Sequence, residues 1–467
     1  MSAPSNHTPS SGAPSHLDGH LPADHTLSPQ WQYRDFSLVG RFLSDYPVQD
    51  LWDTDFARLP SSLARQRRRA RTFAEQYLAP VADELDLAAH LPPGECHPAA
   101  LAVLREAGRQ GWLSYFLPRP LGSMPWSTLR YPAIWQCSLI VEEFSRACGG
   151  LMLLLSAHHL GAMPLLLSGN ARHIVRHLLP VYRSCERGDP HLVAFAITEP
   201  GAGSDAEDGH GAATLQPGVV ATPTAGGWLL NGRKCYISGG DLSKSATVFA
   251  ALQGEGMASW TCFYVDCASP GFRVARTELK MGMRASGAAE LELTDVFVPH
   301  DRIVGALRQG WALNRATLNA SRIPVASMAV GFARAATETA LEFARRYTLG
   351  GKALIHYQDV QLHLATMVAE TRALRSLVWQ EARAAWQPRQ LHASLAKFHA
   401  TDRAQRVCEM AMDLLADHGG LHEQRVEKIF RDVRLTRIFE GTNQVNRLSM
   451  MEDWQAQLLN GDQPVGV

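Results

Sequence analysis

Residues 192–205 read LVAFAITEPGAGSD, and this stretch marks a change of architecture along the chain. Its first half is a short apolar run of the kind that forms a buried strand. Its second half is a loop containing Gly201 and Gly203, where the missing Cβ atoms let the backbone approach a planar or anionic ligand. An isolated Gly-x-Gly is more often a plain turn, and the GxGxxG and helix of a dinucleotide-binding fold do not follow here. The stretch therefore predicts a strand followed by a candidate ligand loop.

The chain before this stretch has the periodicity of α-helices. From about residue 62 to residue 190, apolar residues recur three or four positions apart, which places them on one helix face. The clearest examples are Phe73, Tyr77, Val81 and Leu85, followed by Leu101, Leu104 and Ala107. We therefore predict an N-terminal helical domain over residues 62–190.

The chain after this stretch alternates with a period of two, which is typical of half-buried strands. We predict strands at Leu192–Ile197, Trp228–Leu230, Lys234–Ile237, Thr247–Leu252, Thr261–Val265 and Leu291–Val298. Asn231-Gly232 is a signal for a type I′ hairpin turn between two of them. Within Leu291–Val298 the alternation slips, which predicts a β-bulge. Together these segments predict one antiparallel β domain over residues 191–305.

The last part of the chain is helical again. After Gly310, two apolar stripes at helical spacing indicate two long helices. The stripes are Met328, Phe332, Ala336 and Ala340, and then Leu364, Met367, Thr371, Leu374 and Val378. Long helices that each bury one face pack as a bundle. The predicted fold class is therefore α+β: an N-terminal helical domain, a central antiparallel β domain, and a C-terminal helical bundle over residues 306–467.

The N-terminal segment differs in composition from the rest. Residues 1–30 are rich in Ser, Pro, His and Gly, so we predict a disordered tail. Residues 31–61 are rich in aromatic side chains and form an extension that we expect to pack on the body or on a partner subunit. The start of the chain resembles neither a secretory signal nor an Arg-rich presequence, which predicts a cytoplasmic protein.

Composition excludes several classes of function. Among the 467 residues, 45 basic and 45 acidic side chains give zero formal net charge, so a polyanion-binding surface is not indicated. The eight cysteines include no Cys-x-x-Cys pair and no Cys/His cluster at zinc spacing, which predicts reduced thiols and no metal site. The apolar run Leu151–Leu155 is far too short to span a membrane.

A second candidate site lies near the C-terminus, where residues 429–450 read IFRDVRLTRIFEGTNQVNRLSM. A basic, amphipathic helical pattern stops at Glu440, and another resumes at Val445. A helix break frees backbone N–H groups, and Gly441 lets a ligand approach the main chain. Most Glu-Gly pairs at helix ends are ordinary termini, so this pattern alone makes Glu440 a candidate catalytic carboxylate and no more.

The string from Thr198 to Asp205 is more specific than its glycines, and it resembles the flavin-binding signature of the acyl-CoA dehydrogenase family. The resemblance extends over about residues 62–455. Further motifs follow in the family's order at Tyr236 to Gly240, Lys280 to Ser286, Gly419-Gly420, and Phe439 to Gln444. The resemblance implies the α, β, α order of domains, FAD as the cofactor, and oxidation of an acyl-CoA thioester to a 2,3-enoyl-CoA.

The family's flavin contacts can be carried over to matching positions of this chain. The resemblance implies that the isoalloxazine ring lies between one wall at Phe195 to Ser204 and another at Tyr236 to Ser238. It also implies that Arg346 contacts the FAD pyrophosphate region of a neighbouring subunit. The full implied cofactor set is Phe195, Ile197, Thr198, Gly203, Ser204, Tyr236, Ile237, Ser238, Arg346, Gln358, Gly420, Thr442 and Gln444.

Glu440 matches the family's catalytic base. The α-proton of a thioester is weakly acidic, and burial against an apolar acyl chain raises the pKa of a carboxylate towards the working range. In the family, hydride then passes from the β-carbon to the flavin. Some members carry the glutamate at the position matching Ser321, where a serine cannot act as the base. The implied substrate contacts are Ser204, Asn319, Arg322 and Gly441.

The acyl pocket is expected beside the apolar run. Leu151–Leu155, Gly161 and Ala162 line or support it, although the same residues also fit a buried core helix. Leu151 and Met152 lie near the position where dicarboxylate-using relatives carry Arg, which favours an uncharged acyl chain.

Other positions depart from the family pattern. The motif Gln-x-x-Gly-Gly-x-Gly reads Ala416 to His422 here without its Gln and last Gly, and Asn319 replaces the usual Asp. The segment from that motif to Glu440 is also about three residues short. The motif belongs to the region that meets the adenine half of FAD across a subunit interface in the family.

Several functions remain open at this point. The first is an acyl-CoA dehydrogenase of fatty acid or acyl-CoA metabolism that passes electrons to an electron-transfer flavoprotein or another acceptor. The second is an acyl-CoA oxidase or a desulfinase-like member of the family, and the third is a non-catalytic flavoprotein with an assembly or interaction role. Because family members are usually tetramers or dimers of dimers, we expect a homotetramer or a homodimer.

Overall fold

Helices, strands and helices again follow one another along the chain in the computed structural model, which describes residues 51–88, 90–207 and 214–459. Contacts divide the chain into a unit that ends at Arg58 and a unit that begins at Leu59. In the first unit, Asp53–Phe56 forms one helical turn. The predicted tail and most of the predicted aromatic extension lie outside the described residues. The order of elements confirms the predicted α+β fold class.

The N-terminal region is built from helices α1 to α6. They are α1 Ser61–Phe73, α2 Ala82–Leu87, α3 Pro98–Arg109, α4 Ala133–Ala147, α5 Gly149–Leu167 and α6 Leu179–Glu186. A π-helical turn and a 3₁₀ turn join α1 to α2. Two residues at the N-terminus of α3 favour helix formation there. Pro98 occupies the first turn, and the His97 ring accepts a hydrogen bond from the Ala99 N–H at 3.3 Å.

Helix α5 is apolar on all sides. It has 19 residues, and an 18-residue window has a mean hydropathy of 1.6, enough to cross a bilayer by length and composition. However, 67% of that window is buried inside the protein, as in the core helix of a globular protein. At Gly161, an added Cβ would lie 2.2 Å from the Val193 carbonyl oxygen, so glycine allows α5 to pack tightly on the first strand.

The central region is an eight-stranded sheet. Its strands are β1 Leu192–Ala196, β2 Val219–Thr224, β3 Gly227–Ser238, β4 Ser243–Leu252, β5 Thr261–Asp266, β6 Phe272–Thr277, β7 Ala288–Pro299 and β8 Ile303–Val304. They lie in the order β6-β7-β3-β2-β4-β5-β8, with β1 paired to β4. Most neighbours are antiparallel, as predicted, but β4 pairs in parallel with both β1 and β2. The prediction missed β2 and β6, because Pro223 and the exposed arginines of β6 weaken the apolar signal.

The predicted hairpin turn at Asn231-Gly232 is wrong, because β3 continues through it. The predicted bulge in β7 is confirmed by a register shift, since Leu230 pairs with Val296 while Gly232 pairs with Leu293. The Asn231 amide donates to the Asp295 carboxylate at 3.0 Å, and the Asp295 N–H donates to Asn231 Oδ1 at 2.9 Å. These two side-chain hydrogen bonds satisfy polar groups that the bulge leaves without a partner on the neighbouring strand. Gly232 is therefore part of a bulged strand pair and not of a turn.

The C-terminal region is a bundle that also closes over the N-terminal helices. Its elements are α7 Gly310–Arg346, the strands β9 Thr348–Leu349 and β10 Lys352–Ala353, α8 Gln358–Ala384, α9 Gln390–Leu415, α10 Val426–Leu435 and α11 Asn443–Leu459. All residues of both predicted apolar stripes are buried, which confirms them.

Buried ion pairs fix α7 and α8 against α4. Arg334 binds Glu143 at 2.9 Å, and Arg375 binds Glu142 at 2.8 Å, with every side chain at most 2% exposed. The neighbouring arginines overcome the effect of burial and hold the pKa of Glu143 at about 2. Removing one partner of such a pair leaves an uncompensated buried charge, so the network specifies how these helices pack.

Candidate active site

A cavity of about 430 Å³ lies where α4, α5, the ends of β1 and β3, α7 and the segment after α10 meet. Most of its wall is apolar. The apolar wall is formed by Trp112, Tyr115, Phe116, Ile140, Val141, Phe144, Met152, Leu153 and Leu155. Glu440 lines the same cavity and is the only charged side chain among the described residues that do so. A lone carboxylate in an apolar cleft is the arrangement expected of a general base.

Glu440 sits in the turn between α10 and α11. The φ angles of Glu440 and Gly441 are 57° and 78°, so two consecutive residues adopt the left-handed conformation. This conformation is costly for a residue with a side chain and persists only where surrounding contacts enforce it. As predicted from the sequence, one helix ends before Glu440 and another begins after it.

Two basic side chains from other helices hold the carbonyl groups of this turn. Arg322, on α7 and 2% exposed, donates from Nε to the Glu440 carbonyl oxygen at 3.3 Å. Lys397, on α9 and fully buried, donates from Nζ to the Gly441 carbonyl oxygen at 2.7 Å and to Asn443 Oδ1 at 2.9 Å. These contacts supply the energy that the left-handed backbone requires.

The carboxylate of Glu440 has a partner on α7. The Ser321 hydroxyl lies 2.6 Å from Glu440 Oε2 and is placed to donate a hydrogen bond to it. The same hydroxyl lies 3.1 Å from the Leu318 carbonyl oxygen. The two residues are 119 positions apart in the sequence.

The ligand loop after β1 forms a second wall of the cavity. Phe195, Ile197, Thr198, Gly203 and Ser204 all line it. The Thr442 N–H donates to Ser204 Oγ at 3.1 Å, which joins this loop to the Glu440 turn.

A buried ion pair anchors the ligand loop from below. Lys234 and Glu199, with side chains 0% exposed, approach to 2.7 Å, and Lys234 also donates to the Ile197 carbonyl oxygen at 2.8 Å. The Glu199 carboxylate accepts from the N–H groups of Gly218 at 2.5 Å and Val219 at 3.2 Å. Burial lowers the pKa of Lys234, while Glu199 opposes that effect. The pair joins the loop to β2 and β3, and sequence reasoning missed it, because a lone Lys in a strand carries no signal of burial.

The opposite wall comes from the end of β3. Tyr236, Ile237 and Ser238 line the cavity, next to a register shift between Lys234 and Ile237. Tyr236 has a φ of 57°, and 64% of it is exposed. The bulged strand end thus turns an aromatic ring away from the protein core.

The other predicted site residues lie outside the cavity wall. Asn319 and Thr442 are half-buried neighbours of wall residues, and Arg322 is buried with its guanidinium on Glu440 and on the Ser394 hydroxyl. The remaining cofactor candidates are exposed on the C-terminal helices and their connections: Arg346, Gln358, Gly420 and Gln444. Arg346 pairs with Glu342. Their assignments to FAD or CoA stay predictions.

Three other titratable groups of the cavity, His159, Cys137 and Tyr115, are not suited to proton transfer near neutral pH. Burial lowers the pKa of His159 to about 4, and its Nε2 lies 2.7 Å from the Trp112 carbonyl oxygen. Burial raises the pKa of the Cys137 thiol to about 12 and also raises the pKa of Tyr115. Glu440 is therefore the candidate base that the geometry favours.

Of the predicted acyl-pocket residues, Met152, Leu153 and Leu155 line the cavity. Gly161 instead supports it from behind, through the contact with β1 described above. Sequence reasoning missed the contribution of Trp112, Tyr115 and α4 to the apolar wall, because helical periodicity identifies buried faces but not which of them border a cavity.

Asp86, His422 and Glu427 bring possible metal-ligand atoms within 4.8 Å of one another. Arg431 already pairs with both carboxylates of this group. A guanidinium therefore supplies the positive charge that a cation would otherwise supply.

Comparison with known proteins matches the chain to sequence models of all the domains of one family. The acyl-CoA dehydrogenase N-terminal domain matches residues 63–183, the middle domain 194–296 and the C-terminal domain 308–454.

Similar curated proteins include both reductases and dehydrogenases. The 3-(aryl)acrylate reductase of Clostridium sporogenes is 31% identical over 82% of this chain and 95% of its own. A caffeyl-CoA reductase–Etf complex subunit of Acetobacterium woodii is 30% identical over 82% and 95%. The mitochondrial short-chain specific acyl-CoA dehydrogenase of Mus musculus is 30% identical over 84% and 89%. Among solved structures, butyryl-CoA dehydrogenase from Megasphaera elsdenii has a TM-score of 0.75 at 28% identity, over 85% of this chain and 99% of its own.

Proposed function

This chain belongs to the acyl-CoA dehydrogenase family, and from that premise we propose that it removes a proton from C2 and a hydride from C3 of an acyl-CoA with an uncharged acyl chain. The product is the 2,3-enoyl-CoA. The observation that carries this proposal is Glu440, the lone carboxylate on an otherwise uncharged wall among the described residues.

FAD is the cofactor of this family, and the cavity fits the flavin ring. The hydroxyl groups of Thr198, Ser204 and Ser238 lie along a largely apolar cleft, and the exposed ring of Tyr236 borders the same space. Gly203 places no side chain on the loop wall. A Cβ atom added there would have only an Asp205 oxygen within 4 Å, so the space beside this glycine is open. A planar heteroaromatic ring with a polar edge matches this donor set. When bound, FAD accepts the hydride.

The protein's own contribution is to place and protect the base. Glu440 takes the C2 proton and becomes the neutral acid, while Arg322 and Lys397 keep its turn in place. The apolar wall excludes water, so the carboxylate keeps its basicity and the enolate is not quenched. The apolar wall around Val141 and Phe144 takes the acyl chain, and its lack of charge disfavours a second carboxylate there.

The reverse reaction is a second candidate. Two of the similar proteins are named as a 3-(aryl)acrylate reductase and a subunit of a caffeyl-CoA reductase complex, and the apolar wall contains Trp112, Tyr115, Phe116 and Phe144. An aromatic wall is suited to an aryl group on the acyl chain. The same base would then return a proton to C2 of an enoyl-CoA.

We further propose an electron-transfer flavoprotein as the redox partner and a homodimer or homotetramer as the assembly. The subunit of Acetobacterium woodii named above belongs to an Etf complex, which supports this partner. The exposed positions of Arg346, Gln358 and Gly420, away from the cavity, are consistent with contacts to the FAD of a neighbouring subunit. The cytoplasmic location stays a prediction.

The test uses the yellow holoenzyme under anaerobic conditions. Saturated acyl-CoA thioesters of graded length, branching and aromatic content are added, and the flavin absorbance is followed. We expect bleaching with at least one uncharged acyl chain. If no thioester bleaches the flavin, while 2,3-enoyl-CoA re-oxidises the chemically reduced enzyme, the reductive direction is correct.

Comparing electron acceptors completes the test. Turnover with an electron-transfer flavoprotein but not with oxygen identifies a dehydrogenase, and turnover with oxygen identifies an oxidase. Retention of FAD without any reaction with saturated or unsaturated thioesters would contradict the proposal and favour a non-catalytic flavoprotein.

A further inference from the structure

The Ser321 hydroxyl has one proton and two possible hydrogen-bond acceptors. Glu440 Oε2 lies at 2.6 Å and the Leu318 carbonyl oxygen at 3.1 Å, so the hydroxyl can donate to only one of them at a time. The shorter distance is typical of a charge-assisted O–H···O⁻ bond, which is about twice as strong as a neutral one.

We propose that Ser321 is a positioning residue for the base, one that orients the Glu440 carboxylate and stabilises its ionised form. This inference rests on the proposed function. It assigns to a second residue the task of holding the catalytic carboxylate in place. The bond restricts rotation of the carboxylate, so its plane keeps one orientation in the cavity that Glu440 lines.

The second acceptor gives the hydroxyl a place to go after proton transfer. Once Glu440 is a neutral carboxylic acid, its pull on the hydroxyl proton weakens, and Ser321 can turn its O–H towards the Leu318 carbonyl oxygen. No proton leaves Ser321 in this exchange. In the proton-transfer part of the reaction the C2–H bond breaks and the O–H bond of Glu440 forms, while the hydride from C3 would go to the bound FAD.

The direction of the expected effect follows from the donor. A hydrogen bond to the charged form of a carboxylic acid favours that form. We therefore expect that removing the hydroxyl moves the acidic limb of the rate profile to higher pH.

Among the described residues, several other titratable and charged groups lie around Glu440. Arg322 from α7 and Lys397 from α9 bind the carbonyl groups of the turn. Tyr236 from β3 and, from the N-terminal region, His159, Cys137 and Tyr115 line the same cavity. Burial lowers the pKa of His159 to about 4 and raises the pKa of Cys137 to about 12, so neither group is charged near neutral pH.

The experiment measures anaerobic flavin reduction by saturating acyl-CoA across the acidic and neutral range. In Ser321→Ala we expect the acidic limb to move up by about one pH unit, which is about a tenfold loss of rate below the limb. Ser321→Thr keeps the hydroxyl and should keep the wild-type limb. Ser327→Ala is the matched control, because Ser327 lies on the same helix and its hydroxyl donates to a backbone carbonyl of that helix, at Ile323 and 3.1 Å, and not to Glu440.

Two results would overturn the proposal: an unmoved limb in Ser321→Ala, or an equal movement in Ser327→Ala, which would indicate a general disturbance of α7. If Ser321→Ala loses its flavin, Ser321→Cys is used in its place. Because the S–H group is a weaker donor, the acidic limb of Ser321→Cys should move in the same direction by a smaller amount. An unmoved limb in Ser321→Cys would also contradict the proposal. Failure of the proposed function is seen separately, as wild-type flavin reduction in Glu440→Gln.

Discussion

The two ends of the cavity are built in opposite ways. At the base end, buried polar groups from α7 and α9 hold each part of the Glu440 turn. At the acyl end, residues such as Val141 and Phe144 supply shape and an apolar surface, and no charged side chain of a described residue lines it. A base must be placed within a fraction of an ångström of its proton, whereas an alkyl or aryl chain is recognised by volume. Substitutions at the base end should therefore affect rate for every substrate, and those at the acyl end should affect the choice among substrates.

The largest effect is expected from Glu440→Gln. The amide keeps the size of the side chain but cannot take a proton, so flavin reduction by any acyl-CoA should fall by about 10²- to 10⁴-fold. Stopped-flow absorbance of the flavin-loaded variant measures this loss. Glu381→Gln alters a buried carboxylate on α8 that pairs with His392 and does not line the cavity, so it separates loss of the base from loss of the fold. A rate within roughly tenfold of wild type in Glu440→Gln would mean that the base end is not the reacting end.

Lys397→Met should come next. The substitution leaves the Gly441 carbonyl and the Asn443 side chain without the ammonium donor, at a cost of about 1–3 kcal/mol in the free energy of unfolding. Because the turn then shifts, the rate per flavin-loaded molecule should fall by about 10- to 100-fold for short and long substrates alike.

The matched control for that variant is Lys428→Met. Lys428 is also buried, 4% exposed, but it pairs with Asp432 on its own helix at 2.6 Å and does not contact the turn. We expect a loss of stability and an unchanged rate per loaded molecule. Equal losses of rate in both variants would show that Lys397 acts only through stability.

Val141→Phe probes the acyl end. The added ring reduces the room beside the apolar wall, so kcat/KM for the longest accepted acyl chain should fall by about 10- to 50-fold, while the shortest accepted chain is affected little. Steady-state kinetics with a graded series of thioesters measures this, and the short substrate is the internal control. Equal losses for all lengths would contradict the division between the two ends.

The smallest effect is expected from His159→Gln. His159 lines the cavity, but burial lowers the pKa of its imidazole to about 4, so the neutral ring carries no charge at working pH. A glutamine amide can still donate to the Trp112 carbonyl oxygen. The acidic limb of the rate profile should stay in place, with the rate within roughly threefold of wild type. A shifted limb would mean that His159 takes part in proton transfer.

The errors of the sequence reading are as instructive as its successes. Asn231-Gly232 was interpreted as a turn because its local preference is strong, but pairing with Asp295 on β7 turned it into a bulge. Strands β2 and β6 were missed because their sequences alternate weakly, and their partners in the sheet, which local patterns do not contain, stabilise them. The long helical stripes were predicted correctly because one buried face repeats many times along each helix.

The sequence by itself determined the order of helices and strands, the ligand loop after β1, and a carboxylate next to a glycine at a helix break. These features depend on backbone preference and periodicity, which near neighbours set. Only the tertiary structure decided that Ser321 meets Glu440 across 119 positions, that Lys397 holds the Gly441 carbonyl, and that Val141 borders a cavity. Such contacts arise when helices pack together, and the free energy of that packing is shared among many residues, so no short pattern in the chain encodes them.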